Sequence, residues 1–294
     1  MMLLNNNMSK NILLYGDKRY EELSINLIES FDRLPDTYTF YYYTIGFDSE
    51  YKNKNVIKIR LDEIKNIPSP QLYKPLTIQH ALTLIDDFIY YDSDMIVSRH
   101  LNYELVLSSV NKYPKGSLVG GWDNPYLWYY TDKGVYETFN YQSLMDNMNV
   151  KNKTQKWVGC CTLAVNKSCK DFVDGWVDIC MNKELWCIDE PKIYEGSKLS
   201  IYAWQKYFIV GDETPYNLML WRDNITDYYY ENIVLELNTI EAIQKAETTE
   251  VIETFLEQDR LNAYCKNSNL LIGYHHLTNL QFRKELLSLL PKAS

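Results

Sequence analysis

Between residues 11 and 97, short apolar runs alternate with stretches of helical spacing, and this alternation constrains the fold more than any other feature. Asn11-Ile12-Leu13-Leu14-Tyr15 is an apolar run closed by Gly16-Asp17, the pattern of a buried strand ending in a loop. Leu23, Leu27, Ile28, Phe31 and Leu34 then share one face of a helix, with Pro35 just past its end. Thr37 to Thr44 and Val56 to Ile59 read as further strands, and Pro68-Ser69-Pro70 marks a loop. A second helix starts near Pro75, with Leu76, Ile78, Leu82 and Ile85 as its apolar positions. Phe88-Ile89-Tyr90-Tyr91 is the next strand and runs directly into Asp92-Ser93-Asp94-Met95-Ile96-Val97. Strand and helix in this rhythm predict a doubly wound α/β sheet, in which ligands gather at the carboxyl ends of the strands.

Beyond residue 100 the pattern loosens. Gly116 to Gly121, Trp157 to Val165 and Tyr207 to Val210 read as strands separated by long, aromatic-rich connections. Lys133 to Lys153 is polar and reads as a flexible loop, and Thr239 to Gln258 as a polar amphipathic helix. Leu270 to Tyr274 is a last short strand ending at His275-His276, and Leu280, Phe282, Leu286, Leu287 and Leu290 belong to a closing helix. With no internal repeat and no low-complexity linker, the expectation is one domain over residues 10–290. A nucleotide-binding half over 10–100 is followed by an irregular half over 101–290.

Charge narrows the partners. A formal net charge of −9 and a pI near 5.1 argue against docking on nucleic acid or anionic lipid through bulk charge, so an anionic ligand must be held locally. The first four residues are apolar but lack a basic flank, and no apolar run reaches the ~18 residues of a membrane span. The six cysteines include no Cys-x-x-Cys and two are adjacent, which suits neither zinc nor a disulfide framework. Reduced, buried thiols in a cytoplasmic protein are expected. The 26 tyrosines are the remaining compositional oddity; some are candidates for sugar contacts, while others reflect an AT-rich coding sequence.

Asp92-Ser93-Asp94 is the only Asp-x-Asp in the chain. Carboxylates directly after an apolar strand lie at the sheet's carboxyl edge, where burial is costly unless they are paired or hold a cation. Two acids two residues apart can face one hard cation, which takes oxygen ligands and commonly a substrate phosphate. The alternative is a loop carboxylate pair that caps the following turn.

Phe88 to Ile96, carrying this motif, resembles the aspartate-x-aspartate strand of GT-A-fold glycosyltransferases, especially the family-eight type. Other segments fall in that family's order: Tyr15-Gly16-Asp17 with Tyr20 behind it, Lys74-Pro75, Trp157 to Asn166 around Gly159, Gly211-Asp212-Glu213 before a helix starting at Thr214-Pro215, and a late histidine. The resemblance implies a GT-A-type Rossmann-like nucleotide-binding sheet with helices on both faces and an irregular acceptor-side half. It implies a nucleotide-sugar donor, UDP being the common case, and a Mn2+ (or Mg2+) ion. Tyr15, Gly16, Asp17, Tyr20, Lys74, Asp92, Ser93 and Gly159 would contact the donor. Asp92, Asp94 and either His275 or His276 would hold the metal, although a histidine at a strand end can equally be structural.

Asp212 and Glu213 form a second carboxylate pair. Either they only stabilise a helix N-terminus, or one of them orients or deprotonates the acceptor hydroxyl. A true base at the anomeric carbon would invert configuration, whereas an acceptor-positioning group allows retention. Trp122-Asp123 opens an aromatic stretch that could pack on a carbohydrate or glycoconjugate acceptor, or could serve ordinary packing. Two other activities compete. A sugar nucleotidyltransferase would want a Gly-rich phosphate loop after the first strand, where Tyr15 to Arg19 has one glycine. A haloacid-type phosphatase would carry its Asp-x-Asp after the first strand rather than the fourth. A non-catalytic carbohydrate-binding protein is the third possibility.

Overall fold

The computed structural model describes residues 10–67, 70–98, 101–108, 110–118, 128–130, 136–138, 158–183, 192–193, 202–203, 212–223, 225, 229–230, 234–236 and 273–275. Its first half follows the rhythm read from the sequence: β1 (Lys10–Asp17), α1 (Glu21–Ser30), β2 (Tyr38–Ile45), β3 (Val56–Leu61), α2 (Tyr73–Ala81) and β4 (Asp87–Tyr91). Then come β5 (Ile96–Val97), α3 (Tyr103–Ser108), β6 (Lys115–Leu118), β7 (Trp128–Tyr130) and β8 (Tyr136–Thr138). They are followed by β9 (Val158–Asn166), α4 (Lys170–Met181), β10 (Lys192–Ile193), β11 (Tyr202–Ala203), α5 (Glu213–Arg222), β12 (Tyr229–Tyr230), β13 (Val234–Glu236) and β14 (Gly273–His275).

Among the described residues, seven strands join in one sheet in the order β12-β6-β9-β4-β1-β2-β3. Pairs β1–β2, β2–β3 and β1–β4 are parallel, whereas β9 runs antiparallel to both β4 and β6. The chain winds outward from β1 through β2 to β3, then crosses back to lay β4 on the other side of β1. The strand order therefore reverses between β1 and β4, and the crevice at their carboxyl ends is where such a sheet takes its ligand.

Both faces of the sheet are covered. Phe31, at the end of α1, packs its ring edge against Tyr38, Phe40 and Tyr91, and Tyr38 meets Tyr103 of α3. On the opposite face, His80 of α2 meets Tyr43, while Phe172 and Trp176 of α4 meet Tyr216 of α5. Strand alternation explains the division: Tyr38 and Phe40 point one way from β2, and Tyr43 the other. Among the described residues no helix is long and apolar enough to cross a membrane. Cys160, Cys161, Cys169 and Cys180 are buried and form no disulfide with one another.

Several elements differ from expectation. Helix α2 begins two residues before Pro75, so the proline sits within the first turn, where its missing N–H is not needed. Helix α5 begins at Glu213 rather than Thr214, with Asp212 in the N-cap position but without a side-chain cap bond. The segment read as a flexible loop contains β8, which pairs antiparallel with β7. Helices α3 and α4 were not anticipated. For α4 the signal was present: Phe172, Val173, Trp176, Val177 and Cys180 are its buried face at helical spacing. The expected strand over Tyr207–Val210, the helix over Thr239–Gln258 and the closing helix lie outside the described residues.

Candidate active site

The crevice at the β1–β4 reversal is lined from two sides. Strand β1 ends in Tyr15-Gly16-Asp17, and β4 runs into a turn over Asp92-Ser93-Asp94-Met95 closed by Met95 N–H donating to Asp92 O at 3.1 Å. Ser93 Oγ donates to Tyr15 O at 2.6 Å and lies 2.8 Å from Ser24 Oγ on α1. Gly16 fills the space between them: a Cβ there would stand 3.0 Å from Ser24 Oγ and 3.3 Å from Tyr20 Cβ. Asp17 caps the short turn over Lys18–Tyr20, accepting Arg19 N–H at 2.9 Å, and binds the Arg19 guanidinium at 2.6 and 3.0 Å. Tyr20 is half exposed, and burial followed by the Asp94 carboxylate pushes its hydroxyl up.

Beneath the turn lies a buried ionic cluster. The Lys74 ammonium stands 3.0 and 3.2 Å from the two oxygens of Asp92, 2.6 Å from Asp212 Oδ2, and donates to Cys160 O at 2.9 Å. It also sits 5.2 Å above the centre of the Tyr90 ring. Burial pulls this ammonium down, but Asp212 and then Asp92 outweigh it, and the net direction is well above the ordinary lysine value. A raised lysine stays charged up to its folded-state value, so Lys74 is a cation throughout the neutral range.

Tyr90 completes the cluster. Its hydroxyl donates to Asp92 Oδ1, and its ring stacks on Tyr15 at 6.1 Å and 24°. Burial pushes both tyrosine hydroxyls well up, with Asp92 adding to the shift at Tyr90, so both remain protonated donors. The sequence reading missed Tyr90, although strand alternation held the signal, since residues 90 and 92 project to the same side.

The start of β9 extends past the end of β4, and side chains take up its backbone groups. Asn217 accepts Val158 N–H and donates to Val158 O, both at 2.9 Å. Glu213 Oε1 accepts Cys160 N–H at 3.0 Å, and Asp92 N–H donates to Cys161 O at 2.7 Å. Gly159 is buried in this arm, opposite Ser117 of β6. Asp212 is 1% exposed and its carbonyl accepts from Trp176 Nε1 at 2.9 Å, so both α5 carboxylates are built into the packing around Lys74 and β9.

The short strand β5 follows the carboxylate turn and pairs antiparallel with β14, Ile96 opposite Tyr274 and Val97 opposite Gly273. This register carries the backbone of His275 toward the Asp94-Met95 end of β5. His276, Trp122 and Asp123 lie outside the described residues. Among the described residues, no group of three His, Cys, Asp or Glu gathers in metal-binding proximity. Two carboxylates on one turn still fit a hard divalent ion of the Mg2+ or Mn2+ kind, which takes one or two protein carboxylates and completes its shell with substrate phosphate and water.

No family model matches this chain, and no curated protein matches it in sequence. Among solved structures it is similar to the crystal structure of the glycosyltransferase GlyE in Streptococcus pneumoniae TIGR4, at 15% identity and a TM-score of 0.49, over 97% of this chain. The chain spans 61% of that neighbour's length.

Proposed function

We propose that this protein is a metal-dependent glycosyltransferase that moves a sugar from a nucleotide-sugar donor, a UDP-sugar, to a hydroxyl of a glycan or glycoconjugate. The observation that carries the proposal is the position of Asp92-Ser93-Asp94. The motif sits at the strand-order reversal, facing the end of β1, in a sheet covered on both faces. The donor's base and ribose would lie along Tyr15-Gly16-Asp17 and Tyr20, with Ser93 locking the two edges together. Asp94 would hold a Mn2+ or Mg2+ ion most directly, with Asp92 beside it and His275 or His276 closing the shell. When bound, that ion would supply positive charge to offset the charge of a departing diphosphate.

The remaining work falls to side chains. Gly159 lies on the arm of β9 beside the cluster and would face the donor sugar, while Trp122 and Asp123 would form the acceptor wall. Asp212 and Glu213 would act on the acceptor side by position. Asp212 is buried against Lys74, and Glu213 holds Cys160 N–H with one oxygen, leaving it the more exposed of the two. The test is donor binding and hydrolysis with UDP- and GDP-sugars, with and without Mn2+. Metal-dependent turnover is expected, and Asp94→Ala should abolish it while leaving the melting curve unchanged. No metal-dependent binding with any donor, or full activity in that variant, would sink the proposal.

A further inference from the structure

We infer that Lys74 is a positioning residue that ties the carboxylate turn to the first turn of α5, and not a ligand of the donor; the inference rests on the glycosyl-transfer reading above. The Lys74 ammonium donates to Asp92 Oδ2 at 3.2 Å and to Cys160 O at 2.9 Å, and is ion-paired at 2.6 Å with Asp212 Oδ2, an oxygen that has no hydrogen bond of its own among the described residues. The face of Tyr90 occupies a further side. At 3% exposure, no side of the ammonium is left for a phosphate or sugar hydroxyl. Its two hydrogen bonds and its ion pair reach three elements: the turn after β4, the arm of β9 and the N-cap of α5. Lys74 therefore acts as a fixed internal counter-ion that sets the spacing between the metal-binding side of the crevice and the acceptor side.

The two roles make opposite demands on a neutral variant. Lys74→Met keeps most of the side-chain volume and removes one positive charge from beside Asp92. Without donor present, Mn2+ alone should then bind more tightly, by about tenfold or more given the proximity of the charges. Turnover should fall about a hundredfold, because Asp92, Cys160 and Asp212 lose their common tether, while KM for the donor stays within about threefold. A lysine that grips the donor would do the reverse: KM would rise and donor-free Mn2+ affinity would not move.

The experiment combines Mn2+ titration of the donor-free protein, steady-state kinetics, and a thermal double-mutant cycle over Lys74→Met, Asp212→Asn and the double variant. The double variant restores charge balance and should melt higher than Lys74→Met alone, which also guards against a single variant too unstable to study. Unchanged Mn2+ affinity with a raised KM, or a strictly additive cycle, overturns the inference. If the wild-type protein turns over no nucleotide sugar, the functional reading fails by itself. The cycle and the donor-free titration still decide the role of Lys74.

Discussion

Replacing Asn217 with alanine removes three hydrogen bonds from the interior at once. The side chain is fully buried on α5; its Oδ1 accepts Val158 N–H, and its Nδ2 donates to Val158 O and Glu213 O, all at 2.9 Å. In effect Asn217 is a peptide group lent to the sheet, closing the backbone of β9 where β4 no longer reaches. Val158 is 0% exposed, so alanine strands one buried donor and one buried acceptor. Each stranded group costs about 1–3 kcal/mol, and the two together about 2–6 kcal/mol. Glu213 O lies within the helix ladder and adds little. A water entering the vacated space would recover part of the loss, leaving an expected cost of about 3 kcal/mol.

For a chain of this size such a loss lowers the melting temperature by about 5–10 °C. Guanidinium unfolding followed by tryptophan fluorescence is a suitable assay, since Trp176 and Trp221 are buried on α4 and α5 beside the affected arm. The midpoint should fall with the slope unchanged, because the surface exposed on unfolding stays the same. Asn217→Asp should be nearly as damaging: it keeps the acceptor for Val158 N–H but sets an oxygen against Val158 O. A loss under about 1 kcal/mol for alanine would mean that Val158 finds other partners, and would refute the view that α5 supports β9 through this amide.

Gly116→Ala should cost about 2–3 kcal/mol or prevent folding, because the new Cβ would lie 2.5 Å from Gly159 O and 2.6 Å from Val158 Cγ1. A wild-type melting curve for that variant would contradict the close approach of β6 and β9. Gly16→Ala meets only side-chain atoms at 3.0 Å and beyond, so stability should drop by about 1 kcal/mol, and under the proposed function Mn2+-dependent UDP affinity should fall further. Unaltered UDP binding would remove this edge from the donor site. The thiols offer a third check. Burial pushes Cys169 up to about 11, and burial followed by the Asp212 and Glu213 carboxylates pushes Cys160 well up. At pH 8 the Cys169 thiolate is then about two hundredfold scarcer than that of an ordinary cysteine. Iodoacetamide mapping of the native protein should leave Cys160, Cys161, Cys169 and Cys180 unmodified until denaturant is added; rapid native labelling of any of them would contradict the packing.

The first hundred residues were legible because each element there carries its own local signal. The β1 run Ile12-Leu13-Leu14, the helical spacing from Leu23 to Phe31 and the run from Phe88 to Tyr91 each announce their type without tertiary help. The carboxylate turn was legible for the same reason, as a break in apolar pattern at the end of a strand. What the sequence could not show is long-range. Lys74 meets Asp212 across 138 positions (212 − 74), and no local pattern links a lysine early in one helix to an aspartate before another. The expectation that Asp212 and Glu213 stabilise the N-terminus of α5 followed from sound local chemistry. The buried ammonium is the stronger attraction: a carboxylate at 1% exposure requires a counter-charge more than a helix end requires one more acceptor.

The tyrosines have a similar explanation, and it moves several of the buried ones away from sugar binding. A parallel sheet buried on both faces is usually built from Val, Ile and Leu, because nothing inside it can satisfy a polar group. Here rings add apolar bulk, and hydroxyls on strand and helix alike bridge the sheet to its covering elements. Tyr103 OH accepts Asn11 N–H at 2.8 Å, Tyr43 OH pairs with His80 Nδ1 at 2.8 Å, and Tyr216 OH donates to Pro114 O. Each such bond fixes the register between a strand or helix and its neighbour, which a leucine in the same place would leave to packing alone. Tyr90 carries the same device to the end of β4, where the polar group its hydroxyl finds is Asp92. The residue that orients the carboxylate turn is thus drawn from the set that builds the core, and the crevice inherits the rigidity of the sheet beneath it.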